Sequence, residues 1–260
     1  MASAAVNDGA KLSIGNVFSR GVSAVHSDPA VFFGIVFLFS TLPSVALGIL
    51  QRNMMLALQG GASFAAAFSL IVGGVAGFAL IMITQGALVR ATLAASEGVR
   101  VGFGPCVATG IRYLLPLLVA SILGWLAIMV GLLLIAVPGI ILATMWAVVG
   151  PAMVAEDLGI VESFGRSRAL TKGSRWRSLG FFVLLAIILT IVSGVAQLLG
   201  FALGQSATDP LNPPIGTIIF TAITGLITTT YLTAWIAALF IEVRSLHSGG
   251  EPDHLEEVFA

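Results

Sequence analysis

Charge is what this chain has least of. Only 9% of its 260 residues are Asp, Glu, Lys or Arg, and twelve cations balance twelve carboxylates. Ordinary soluble domains carry about a quarter charged residues. Zero net charge removes any general electrostatic case for nucleic acid. Cysteine is almost missing, and Cys106 alone excludes an internal disulfide and any thiolate-only metal cage. The three histidines, His26, His247 and His254, lie at segment edges or in the tail without metal-ligand spacing. No G-x-S-x-G, H-E-x-x-H or Walker A lysine loop is present, so no catalytic residue, metal site or cofactor is expected. The first apolar run, Ala30–Leu50, exceeds the roughly 7–15 residues of a signal-peptide core, and further spans follow it.

What the chain has instead is apolar surface: 58% of its residues are hydrophobic, more than a soluble core can hide. The expected fold is all-α, a single integral membrane domain over 1–260 with six transmembrane helices. Spans are predicted near 30–50, 62–89, 114–136, 139–155, 179–203 and 215–243. Crossing a core of ~30 Å takes about 20 residues, so the fourth run is near the minimum. Pro43 and Gly150-Pro151 predict bends, Gln51-Arg52-Asn53 a cap on the first span, and Val137-Pro138-Gly139 a tight turn. Gly73-xxx-Gly77 permits close approach by a neighbouring helix, and Gln85 is expected to hydrogen-bond across the bundle.

Between the spans lie one-sided segments. In the first, 12–26, Ile14, Val17, Phe18, Val22 and Val25 share a helical face behind a Ser13 N-cap. Phe103, Val107 and Ile111 suggest another short helix, and a third precedes the fifth span. NVFSRGVSAVHSDPAVFFGIVF, PCVATGIRYLLPLLVASIL and ESFGRSRALTKGSRWRSLGFFVLL share a layout. The expected arrangement is three hairpins, each preceded by a short cytoplasmic interfacial helix. A plainer alternative is that any protein with an even number of spans has such loops. Eleven of the twelve cations fall on one side of this topology and only Arg52 on the other, which makes both termini cytoplasmic.

The densest charge lies in the segment 156–178, with Arg166, Arg168, Lys172, Arg175 and Arg177. Glu162 precedes Arg166 by four residues, the favourable order for a helical ion pair. Lys172-Gly173 reads as a helix end. Arg175-Trp176-Arg177 then re-enters the membrane, with Trp176 at headgroup level. Arg166, Arg168, Lys172, Arg175, Trp176 and Arg177 are therefore candidate ligands for anionic phospholipid headgroups. The plainer alternative is topogenic charge with no specific ligand.

In the sixth span Thr217, Thr221, Thr224 and Thr228 fall in a narrow arc, continued by Tyr231, Trp235 and Glu242. The stripe could line a polar path. Threonines bonded to their own preceding turn are the plainer reading. Near the membrane surface, Glu242 is expected to pair with an arginine. The tail 244–260 is polar and acidic.

Over Val137–Leu185 the chain resembles the membrane-domain family named after glycerophosphoryl diester phosphodiesterases and the related YciC-type inner-membrane proteins. The matching features are Pro138-Gly139, Trp146, Pro151, Glu156, Ser167, Leu170-Thr171-Lys172-Gly173 and Trp176. The resemblance implies a six-span protein of the bacterial inner membrane, without the separate soluble phosphodiesterase domain. The leading expectation is a non-enzymatic protein that binds or organises phospholipid. A small-solute or lipid transporter or channel with its path beside the threonine stripe, and an accessory subunit of a membrane complex or homo-oligomer, are the alternatives.

Overall fold

The computed structural model describes residues 12–59, 64–134, 136–202 and 215–248. Every regular element among them is helical. Helix α1 (Ile14–Ser27) is followed by α2 (Pro29–Val36), a π-helical turn (Phe37–Thr41) and α3 (Leu42–Gln59). Next come α4 (Phe64–Ser96), α5 (Phe103–Arg112), α6 (Leu114–Leu134) and α7 (Ala136–Met145). The chain continues through α8 (Val149–Glu156), α9 (Ile160–Thr171), α10 (Arg175–Ala202) and α11 (Ile215–Ser248). Six stretches are long and apolar enough to cross a membrane: Pro29–Leu50, Ile71–Ser96, Leu114–Leu134, Gly139–Glu156, Arg175–Ala202 and Ile215–His247. The last is the axis of the bundle, half buried, whereas α10 is 11% buried and lies at the periphery.

Several boundaries differ from the sequence reading, each for a local reason. Gln51-Arg52-Asn53 does not cap the first span, because α3 runs on to Gln59 through good helix formers with no Gly or Pro to stop it. Helix α4 likewise continues past Val89 to Ser96. Val137-Pro138-Gly139 is not a turn but the beginning of α7, where a proline needs no N–H partner. The bend expected at Gly150-Pro151 is a full break at Trp146–Val148, and Pro151 sits in the first turn of α8. Proline cannot donate to the carbonyl four residues back, so the interruption falls on the N-terminal side of the ring. Near Pro43 the distortion is the π-turn just before it, where Leu42 N–H reaches back to the Phe37 carbonyl.

The three short helices bury the same register. Val17, Gly21 and Ala24 of α1 correspond to Cys106, Gly110 and Tyr113 around α5 and to Ser163, Ser167 and Leu170 of α9. All nine are buried, so these helices are inserted into the bundle and not simply laid on it. Helix α5 packs on the preceding α4, and α9 on the preceding α8. No long helix precedes α1 among the described residues, and it packs instead on α11, the last one.

Small residues allow two of these seats. A side chain on Gly110 would run into the Ile83 carbonyl, and one on Gly21 into the Trp235 ring. The Gly73-xxx-Gly77 motif serves similarly: a β-carbon on either glycine would lie 2.8 Å from a Leu47 methyl of α3. Backbones approach this closely only where the side chain is a hydrogen.

Candidate functional site

The ion pairs among the described residues join α1, α5, α8, α9 and α11, and the corner between α8, α9 and α10 organises several of them. Asp157 ends α8 in the left-handed conformation, φ 51°. The chain thereby turns so that α9 returns alongside α8. Glu162 Oε2 accepts the Gly159 N–H at 3.1 Å and closes the N-terminus of α9. That engagement takes Glu162 away from the expected pair with Arg166. Arg166 instead donates to Glu156, from Nε at 2.7 Å and from a terminal nitrogen at 3.1 Å. Glu156 also has Arg244 of α11 at 3.6 Å, which makes it a hub between three helices.

Behind this corner, the break after α7 leaves the Met145 carbonyl without a helical partner. Ser167 Oγ donates to it at 2.8 Å and Thr171 Oγ1 at 3.4 Å. Both hydroxyls are fully buried. Here the features Ser167 and Leu170-Thr171-Lys172-Gly173 acquire a physical role: they cap α7 and then end α9. Gly173 takes φ 92°, a conformation that suits glycine.

Further pairs stitch the same end together. Arg112 donates to Asp157 at 2.9 Å, and the Tyr113 hydroxyl donates to the same carboxylate. The tyrosine hydrogen bond, reinforced by Arg112, holds the Asp157 carboxyl below its ordinary range. Burial first, and then Asp157, pushes the Tyr113 phenol up. Arg20 of α1 lies 3.4 Å from Glu242 of α11, so Glu242 is paired with an arginine as expected. The contact is a charge pair without hydrogen-bond alignment, because the buried Glu242 Oε2 has no hydrogen-bond partner. Cys106 is buried in α5, and burial raises its thiol pKa.

The six candidate headgroup ligands fall into two groups. Arg166 is held by Glu156, and Arg177 donates to the Leu12 carbonyl at 3.1 Å. Arg175 is half-buried against the Met145 sulfur at 3.9 Å. Arg168 and Lys172 are exposed one turn apart, and Trp176 is 85% exposed at the start of α10. None of these last three has an ion pair or side-chain hydrogen bond among the described residues.

The threonine stripe is not one continuous line. Thr224 donates to the Phe220 carbonyl at 3.1 Å and Thr228 to that of Thr224 at 2.8 Å, so these two hydroxyls are satisfied on their own helix. With Thr217 and Thr221 they line a groove of about 550 Å³ between α10 and α11. Farther along, Tyr231 and Trp235 meet at a tilt with ring centres 5.7 Å apart, and Trp235 meets Phe18 edge-on at 5.0 Å. Aromatic packing therefore separates the groove from Glu242. Among the described residues Gln85 has no hydrogen bond across the bundle. It is exposed at a separate cavity of about 300 Å³ that Ser121 and Thr233 also line.

Six helices of spanning length, a charged end knit by ion pairs and long apolar faces elsewhere define a multi-pass membrane protein. The chain belongs to the family described as "Domain of unknown function (DUF7847)", which matches residues 12–241. No curated protein and no solved structure matches it.

Proposed function

We propose that this protein binds anionic phospholipid at its charged end, through Arg168, Lys172 and Trp176. One observation carries the reading. Arg166 and Arg177 hydrogen-bond within the fold and Arg175 is half-buried, whereas Arg168, Lys172 and Trp176 are exposed where α9 ends and α10 begins and have no side-chain partner among the described residues. A tryptophan at the start of a spanning helix sits well at headgroup level, and its neighbouring cations can meet phosphate. Two juxtamembrane cations gain about 2 kcal/mol from an anionic leaflet, or about thirty-fold in lipid retention. Arg166, Arg175 and Arg177 serve the corner itself in this reading.

The bias of cations toward the cytoplasm supports a position for this end inside the cell. In this reading α1, α5 and α9 are the cytoplasmic elements before three hairpins, and the resemblance described above suggests a bacterial inner membrane. The protein acts by organising lipid and has no catalytic step. The test is native mass spectrometry of protein extracted with its lipids. The triple variant Arg168→Gln, Lys172→Gln, Trp176→Ala is expected to lose most bound phosphatidylglycerol or cardiolipin at unchanged melting temperature. Arg166→Gln is expected to melt earlier and keep its lipid. Unchanged lipid in the triple variant ends the proposal.

A further inference from the structure

At the half of α11 away from the ion pairs, a recess of about 410 Å³ lies between that helix and the π-turn. Ser40, Thr41, Ser44, Thr221 and Thr229 line it from both walls, and none of the described residues lining it is charged. A row of hydroxyls alone would be unremarkable, since threonines in apolar helices bond to their own turn. Thr84, Thr92, Thr190 and Thr230 do so here, each donating to the carbonyl four residues back at 2.7–2.9 Å.

Thr41 breaks that pattern. Its usual acceptor is the Phe37 carbonyl, and the π-turn hands that carbonyl to the Leu42 N–H instead. Pro43, two residues on, has no N–H to return to the same turn. Thr41 is 7% exposed, and its Oγ1 has no hydrogen-bond partner. An unpaired hydroxyl in apolar surroundings costs about 1–3 kcal/mol, so the site gains by taking a partner from outside the chain. The neighbouring side chains Phe37 and Leu42 are about half exposed, so residues that would face lipid adjoin Thr41.

We infer that this recess binds an uncharged ligand through an alcohol hydroxyl that pairs with Thr41. None of the described lining residues would give a bare phosphate or amine a counter-ion, which favours an uncharged guest. Two sources offer the right chemistry. One is a neutral lipid alcohol of the diacylglycerol type, which the half-exposed apolar neighbours Phe37 and Leu42 favour; the other is a free polyol such as glycerol. This site is separate from the headgroup ligands in place and in charge, so either assignment can fail without the other.

The experiment uses the full chain in an amine-oxide detergent, which has no hydroxyl to compete, with retention read by native mass spectrometry. The probes are dioctanoylglycerol, glycerol and trioctanoylglycerol, which lacks a free hydroxyl. Wild type is expected to retain dioctanoylglycerol and not trioctanoylglycerol. Thr41→Val is expected to lower retention about five-fold, the worth of one hydrogen bond, and Thr41→Ser to restore it. Thr229→Val tests the opposite wall should Thr41→Val perturb the π-turn, and Thr224→Val, whose hydroxyl is satisfied, should retain as wild type does. Thr41-dependent retention of glycerol alone upholds the hydroxyl site and assigns it to a free polyol. Retention of trioctanoylglycerol equal to that of dioctanoylglycerol, equal retention by Thr41→Val and Thr229→Val, or no retention of either alcohol overturns the inference.

Discussion

The two halves of α11 carry similar residues and end in opposite states. From Ala234 to Val243 the helix is sealed: Ala234, Ala237, Ala238, Leu239, Phe240 and Val243 have no exposed surface. From Ile215 to Thr229 it is open, with Ile219, Ile223 and Ile227 about half exposed and hydroxyl-lined recesses on either side. The difference lies in the neighbours. Around the sealed half, α1 inserts against the axis while α9 and the end of α8 close the side. Around the open half only the spans themselves are present among the described residues. The short helices are thus what turn a loose set of apolar rods into a packed core, and the half they do not reach keeps room for a guest.

The largest expected effect comes from unseating a short helix at the sealed end. Gly110→Leu drives a side chain into the Ile83 backbone, and overpacking of this kind costs about 3 kcal/mol or more. The variant should not elute as a monodisperse species on size-exclusion chromatography; a normal profile would mean that α5 is dispensable for packing. Next is Glu156→Gln, which strips Arg166 and Arg244 of their carboxylate. A loss of about 2 kcal/mol is expected, read as a drop in melting temperature.

The open half should behave the other way. A β-carbon on Gly225 meets nothing within 4 Å, so Gly225→Ala should raise stability by up to about 1 kcal/mol through helix propensity alone. A destabilised Gly225→Ala would show that this half is tightly packed after all. The smallest effect concerns acid. The Asp157 carboxyl is lowered, so its contribution is complete above the ordinary carboxylate range and fades as pH falls through the lowered value. Wild type should therefore lose slightly more melting temperature than Asp157→Asn between pH 6 and about pH 3, where carboxylates titrate.

Much of this architecture could be read from residue order, because lipid imposes long apolar helices and little else satisfies a backbone there. The spans, the Ser13 cap and the Lys172-Gly173 stop are local signals, and each has its counterpart here. Partners distant in sequence were not legible. Glu162 and Arg166 have ideal helical spacing, yet the carboxylate that wins lies ten residues before the arginine, across a left-handed turn. The purpose of Gly21 in α1 appears only with Trp235 beside it. The unsatisfied Thr41 was equally hidden, since a π-turn redirects one carbonyl without changing the composition around it.

The placement of α1 has a consequence for biogenesis. Phe18 and Trp235, joined by a hydrogen bond, are separated by 217 positions. At translation rates of roughly 5–20 residues per second, the earliest helix waits roughly 10–40 s for its docking groove to be synthesised. Until then Arg20 and the Gly21 face are without Glu242 and Trp235, whatever the other spans have achieved. A nascent polypeptide interrupted before α11 leaves α1 without its docking partner.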